Sequence, residues 1–178
     1  FFLRIRRPPR APLLPDATLF RSDQSGEAAM SWSRSSEGVC SGELPLRALR
    51  VRVRPDRVEV EIVVAAERYA HTDSKLIAEC LGHVPTLGQH ACRNSVGPVF
   101  ATVMRSTSTP HLLEHLIIDA QTRAAKDPNR VFTGTTQWSA GGALMAHVAF
   151  SYEDDLVALD ALNRSLSFLN GVLIDQRG

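Results

Sequence analysis

Between Leu49 and Val64 the chain alternates charge with hydrocarbon, and this period of two constrains its fold more than any other feature. The first half reads Leu49-Arg50-Val51-Arg52-Val53-Arg54 and the second Val58-Glu59-Val60-Glu61-Ile62-Val63-Val64, with Pro55-Asp56-Arg57 between them. Successive side chains of a strand point to opposite faces, so each half sets its valines on one side and its charges on the other. Two such runs around a Pro-Asp turn predict an antiparallel β-hairpin with one face in water. Across that wet face the arginines of the first strand meet the glutamates of the second. The charge run is therefore read as a solvated sheet face and not as a binding surface.

The chain of 178 residues suffices for one domain with a real core and is too short for two large ones. Hydrophobic residues at 44% and charged residues at 22% fit a globular protein and exclude a largely disordered one. With a formal net charge of +1 and no concentrated basic face, the electrostatic footprint of a nucleic-acid binder is missing. No apolar run approaches the ~20 residues that span a bilayer, so no membrane partner is expected either. The cysteines, Cys40, Cys80 and Cys92, form no even-numbered disulfide framework, and a cytoplasmic location is expected.

Residues 1–43 carry Pro8, Pro9, Pro12 and Pro15 and then a Ser/Gly/Glu-rich stretch without a sustained period, which predicts a disordered or artefactual N-terminal tail. The segment Thr18-Leu19-Phe20-Arg21-Ser22 resembles a translated sequencing-adapter remnant, and the first methionine is Met30. Residues 44–178 are expected to form the folded domain. Beyond the hairpin, a helix is predicted from Ser74 to Leu81, capped by Asp73 or Ser74 and stopped at Gly82. His83 to Pro98 reads as a loop that holds His90 and Cys92. Ser106, Thr107, Ser108 and Thr109 offer caps, and Pro110 fits the first position of a helix that runs to about Ala125. Arg130 to Trp138 and Ala143 to Tyr152 have strand composition and are joined by Ser139-Ala140-Gly141-Gly142. Glu153 to Leu173 spaces its leucines at helical intervals. Strands, helices, strands, helix is the order of a single α+β domain, with a largely antiparallel sheet and helices packed on one side.

The run His111-Leu112-Leu113-Glu114-His115 carries the chemistry. Histidines four apart project from one side of a helix, one turn above the other, so their imidazoles can share one cation. The H-x-x-E-H order is the inverzincin form of the metallopeptidase signature, in which the glutamate takes a proton from metal-bound water and does not hold the metal. On a helical wheel Leu112, Leu113, Leu116, Ile117 and Ala120 fall together, opposite His111, Glu114, His115, Asp119 and Thr122, with Ile118 the one apolar exception. Asp119, four residues past His115, is the first choice as third ligand, and Cys92 the second. Cys92 reads equally well as a small buried hydrophobe. His90 is either a group behind the ligands or a substrate contact. No Gly-x-Ser-x-Gly elbow and no Gly-x-x-x-x-Gly-Lys loop exists, so no nucleotide site is expected.

The passage Leu81-Gly82-His83-Val84-Pro85-Thr86-Leu87, then His90-Ala91-Cys92, then His111 through Gln121, resembles the N-terminal domain of cyanophycin synthetases. The resemblance covers roughly residues 46 to 172 and includes Val131-Phe132-Thr133-Gly134-Thr135-Thr136 and Phe150-Ser151-Tyr152-Glu153. It implies an accessory domain of an enzyme that polymerises aspartate and arginine, acting as a metallopeptidase in some members and as a polymer-binding unit in others. It also implies a substrate contact at the position of Thr135, where the family has an arginine whose positive charge threonine lacks, and a ligand at Asp119, where the family has a glutamate and the shorter aspartate demands a closer approach to the metal. The ATP-grasp and Mur-ligase-like modules of synthesis are not in this chain, which is expected to be a fragment, a stand-alone relative or the first domain of a longer protein.

The residues favour a zinc-dependent hydrolase-like domain acting on a peptide or isopeptide bond, with Glu114 as general base and His111, His115, Asp119 and Cys92 as candidate ligands. His90 and Thr135 would contact the substrate. The alternative is a non-catalytic substrate-binding or assembly domain of a larger ATP-dependent ligase. A peptide or polyamide is the expected partner, together with a possible second copy of the chain or covalently fused ligase domains.

Overall fold

The alternating segment folds as the expected hairpin, with β1 (Leu46–Val53) antiparallel to β2 (Arg57–Val64). The computed structural model describes residues 43–127, 129–140 and 144–177. The tail expected over residues 1–43, Glu43 apart, therefore lies outside the described residues, as do Cys40 and the Gly141-Gly142 pair of the expected second turn.

The hairpin contains one irregularity that the alternation conceals. Leu46 and Ala48 oppose Val64 and Ile62, whereas further along it is Val51 and Val53 that oppose Val60 and Val58. Inward residues switch from even to odd numbers because Leu49 has no partner and shifts the phase by one, as a β-bulge does. The wet face is ionic as expected. Arg50 stands opposite Glu61 with a 3.6 Å approach, and Arg54 and Arg57 close on Glu59 at 3.1 and 3.0 Å.

A second hairpin, β3 (Gly134–Trp138) with β4 (Met145–Ser151), completes a four-stranded antiparallel sheet in the order β1-β2-β4-β3. The helices α1 (Ser74–His83) and α2 (Thr109–Ala124) lie between the hairpins in sequence, and α3 (Asp155–Arg177) follows β4. Val58, Val60 and Ile62 of β2 and Val148 and Phe150 of β4 line the inner face, buried in one core with Leu112, Leu113, Ile117, Leu169 and Leu173 of α2 and α3. This is the single α+β domain that the element order predicts. No helix among the described residues is long and apolar enough to cross a membrane.

Local chemistry sets the element ends. Asp73 caps α1 by accepting the Leu76 N–H at 2.8 Å, and α1 continues past Gly82, where a side chain would meet open space. Ser108 caps α2 with Pro110 in the first turn, and the Thr109 hydroxyl donates to the Tyr69 carbonyl at 2.6 Å. The strand predicted from Arg130 begins only at Gly134, because β4 ends at Ser151 and leaves Arg130 to Phe132 nothing to pair with. The last helix extends to Arg177, whose guanidinium reaches Asp73 and the carbonyls of Arg68 and His71. Asn170 clamps α3 to the sheet by accepting the Leu46 N–H at 2.8 Å and donating to the Leu46 carbonyl at 2.9 Å.

Candidate functional site

The first two turns of α2 hold His111, Glu114 and His115, and the loop from His90 to Thr107 wraps back over them. Paired strand-like at Ala91 and Val99, that loop carries Cys92, whose N–H donates to the Pro98 carbonyl at 3.0 Å. The Cys92 Sγ then lies 3.5 Å from His111 Nε2. The other nitrogen of that ring, Nδ1, sits 2.8 Å from the Thr107 hydroxyl, which fixes the ring with Nε2 toward the sulfur. Phe100, fully buried, stacks on His115 at 3.9 Å between ring centroids and meets His111 edge-on at 5.3 Å. Loop and helix thus hold both imidazoles in fixed orientations.

Donor atoms of Cys92, His111 and His115 all lie within 4.8 Å of one another, a group that can hold a metal ion. His115 is only 3% exposed, yet neither ring nitrogen has a hydrogen-bond partner. Burial, and then the neighbouring His111 and His90, pull its pKa down to about 3, and burial lowers His111 as well. Both rings are therefore neutral near pH 7, the form in which imidazole donates to a metal. A buried imidazole costs free energy unless its N–H finds an acceptor and its other nitrogen a donor or a metal, and a thiol with two imidazoles is a donor set suited to a divalent transition metal. The residues present fit such an ion.

Glu114 is buried beneath β3. Thr136 donates its hydroxyl to one carboxylate oxygen at 2.6 Å, and the other oxygen lies only 2.5 Å from where a side chain on Gly134 would begin. Burial pushes its pKa up to about 6, against the lowering effect of the Thr136 bond. A carboxyl in that range exchanges protons near neutral pH, as a general base must.

Asp119 is not among the grouped donors. Its carboxylate is engaged elsewhere, with Arg123 at 2.7 Å, the Thr86 hydroxyl at 3.1 Å and His90 Nε2 at 3.4 Å. Burial alone would raise its pKa, but His90, Arg123 and Thr86 outweigh burial and hold the carboxyl below its usual range. His90 in turn places its ring 5.6 Å from His115, with a buried and unpartnered Nδ1. Thr135 is exposed opposite Ala149, while its neighbours Gly134 and Thr136 face Glu114, because side chains alternate along β3. Gln121 is buried and donates to the Ser151 carbonyl at 3.3 Å, tying α2 to the end of β4.

Sequence reasoning missed Thr107, Phe100, Gly134 and Thr136. Thr107 reads as one of several caps, and nothing local marks Phe100 as a histidine's stacking partner. The signal for Gly134 and Thr136 was present as the period of two in β3, which assigns them the face opposite Thr135.

These residues floor an open groove. Its walls are β3 on one side and the segments about Cys92 and Thr107 on the other, and its floor is α2 from His111 to Thr122. Ile118, the apolar exception on the wheel, lines this groove. The sequence model of the cyanophycin synthase-like N-terminal domain matches residues 58–174, from β2 into α3. No curated protein matches the chain.

Proposed function

Because this chain belongs to the cyanophycin synthase-like N-terminal domain family, we propose that it is the accessory domain of a larger ATP-dependent synthetase and binds the Asp/Arg polyamide in the groove beside β3. The observation that carries this reading is the family match, which spans every residue of the groove floor. The groove is open to solvent and is lined from β3 to the segments about Cys92 and Thr107, which favours entry of a chain from the side. Saturable binding of a synthetic Asp/Arg oligomer to the 178-residue chain, followed by fluorescence anisotropy, tests it. Ile118→Glu sets a carboxylate in the groove floor and is expected to weaken that binding severalfold. No saturable binding, or binding indifferent to Ile118→Glu, would overturn the reading.

A second reading, hydrolysis of the polyamide, is favoured by the orphaned nitrogens of buried His115 beside Cys92 and His111. Under it Cys92, His111 and His115 would hold a zinc ion, which when bound would supply a Lewis acid. Glu114 would serve as the proton acceptor at its carboxylate, with Thr136 and Gly134 fixing where the oxygens lie. His90, held by Asp119, lines the groove beside Cys92 and would contact the substrate there. Glu114→Gln is expected to abolish cleavage while leaving bound zinc intact. Loss of both together would make Glu114 a folding residue and end this reading.

A further inference from the structure

Among the described residues the strand order leaves two edges, β1 and β3, whose outward backbone groups have no neighbouring strand. The β1 edge is guarded. It carries Arg47, Arg50 and Arg52 and is broken by the bulge at Leu49, features that discourage a further strand. By contrast, β3 reads Gly134-Thr135-Thr136-Gln137-Trp138, without a charge, and forms one wall of the groove.

The hydrogen bonds at its two ends fix which residues face outward. Ser151 N–H donates to the Thr133 carbonyl at 2.8 Å, and Ser139 N–H donates to the Met145 carbonyl at 2.8 Å. Both are bonded pairs in the register that sets Thr135 opposite Ala149 and Gln137 opposite His147. Bonded and non-bonded pairs alternate in an antiparallel ladder. Counting in twos from either end, Thr135 and Gln137 turn their backbone groups to β4, and Gly134, Thr136 and Trp138 turn theirs to the open edge. None of those three makes a backbone hydrogen bond to a described residue beyond the ladder. Gly134 and Thr136 are also the residues that bracket the Glu114 carboxylate. Free backbone and candidate base thus coincide along the strand. Arg93 and Arg130 line the same groove, exposed and without an ion pair to a described residue, which suits a ligand bearing carboxylates.

We propose that β3 is a template strand: an extended polyamide with carboxylate side chains pairs its backbone with the outward groups of Gly134, Thr136 and Trp138, and its amides are thereby set alongside Glu114. Such strand addition draws affinity from main-chain hydrogen bonds and is tolerant of side chains, as recognition of a repetitive polymer requires. Five residues of β3 offer about 17 Å of edge, enough for roughly five residues of ligand. The inference rests on the groove being a polyamide-binding site.

Amide hydrogen exchange followed by NMR on the full 178-residue chain, with and without a capped octamer of α-linked aspartate, tests it. In the free chain Thr135 and Gln137 should exchange slowly and Gly134, Thr136 and Trp138 fast. Saturation with the octamer should slow those three by at least about tenfold, the effect of about one hydrogen bond. An octamer N-methylated at every residue should lose binding, and one methylated at alternate residues, which keeps one intact edge, should bind like the parent. If the parent octamer binds while the three amides stay fast, or if full methylation leaves binding unchanged, strand addition is overturned and polyamide binding stands. No binding of the octamer also overturns it, whereas the Asp/Arg oligomer decides the broader reading.

Discussion

The outer face of the sheet and the groove side of α2 are both rich in ionisable groups, and the two treat them in opposite ways. On the sheet, Arg50 meets Glu61, and Arg54 and Arg57 meet Glu59, in contact with water. Each charge there has both a partner and solvent, so little free energy is at stake. On α2, Glu114, His115 and Asp119 are 5%, 3% and 5% exposed. Asp119 has three neighbours, with Oδ1 beside Thr86 and His90 and Oδ2 in an ion pair with Arg123 that makes no hydrogen bond, whereas Glu114 has one partner and His115 none. Charge density alone does not distinguish a framework surface from a functional one. Burial without satisfaction does, because an orphaned polar group persists only where something else repays its desolvation.

The contrast breaks first at the candidate metal ligands. His115→Ala should weaken zinc binding by the folded chain by more than about 100-fold, exceeding the 10–100-fold that loss of an outer partner costs. Asp119→Asn should stay within that lower range, as measured by competition with a chromophoric chelator. Equal losses in the two variants would return Asp119 to the ligand set.

Next in size is Gly134→Ala. Its new methyl group would lie 2.5 Å from the Glu114 carboxylate, so strand or helix must yield, at a cost of about 1–3 kcal/mol in urea unfolding. A neutral result would mean that β3 and α2 can separate freely.

The pH dependence of the metal-free chain sharpens the same point. Glu114 has its pKa raised from 4.5 to about 6, so its contribution to stability is complete below pH 4.5 and is lost as pH rises through 6. His115, depressed from 6.5 to about 3, works in the other direction, its contribution complete above pH 6.5 and lost as pH falls toward 3. Between pH 4.5 and 6 the two slopes oppose each other. Glu114→Gln removes one of them, so the variant should gain stability with rising pH more steeply than the parent, by on the order of 2 kcal/mol across the interval. Parallel stability profiles would place Glu114 in water. The smallest effect belongs to the outer face, where Arg50→Ala should shift stability by less than about 1 kcal/mol.

Much of the fold and part of the site are legible in the sequence. Period-two alternation gave both the hairpin and its wet face, and Ser108 with Pro110 marked the start of α2, because these signals are local. The bulge at Leu49 is not legible, because Leu49 continues the alternation and only the pairing shows it to be the extra residue. At the site, spacing placed His111 and His115 together because four residues make one helical turn. It also favoured Asp119 over Cys92, since helical proximity is visible in sequence and loop closure is not. The fold reverses that order by turning Asp119 toward His90 and Arg123 and bringing Cys92 over the start of α2. Thr136 was hidden for the same reason, lying far from Glu114 in sequence and adjacent only after the second hairpin docks on α2.

The claim on which this contrast rests, that the buried cluster of Cys92, His111 and His115 can hold a metal ion, is tested most directly by titrating the metal-free chain with cobalt(II) and recording its absorption spectrum. One equivalent should bind and produce both ligand-field bands and a thiolate-to-cobalt charge-transfer band, with Cys92→Ser losing only the latter and Asp119→Asn keeping both. A folded chain that binds no cobalt, or whose spectrum is unchanged by Cys92→Ser, would contradict the account.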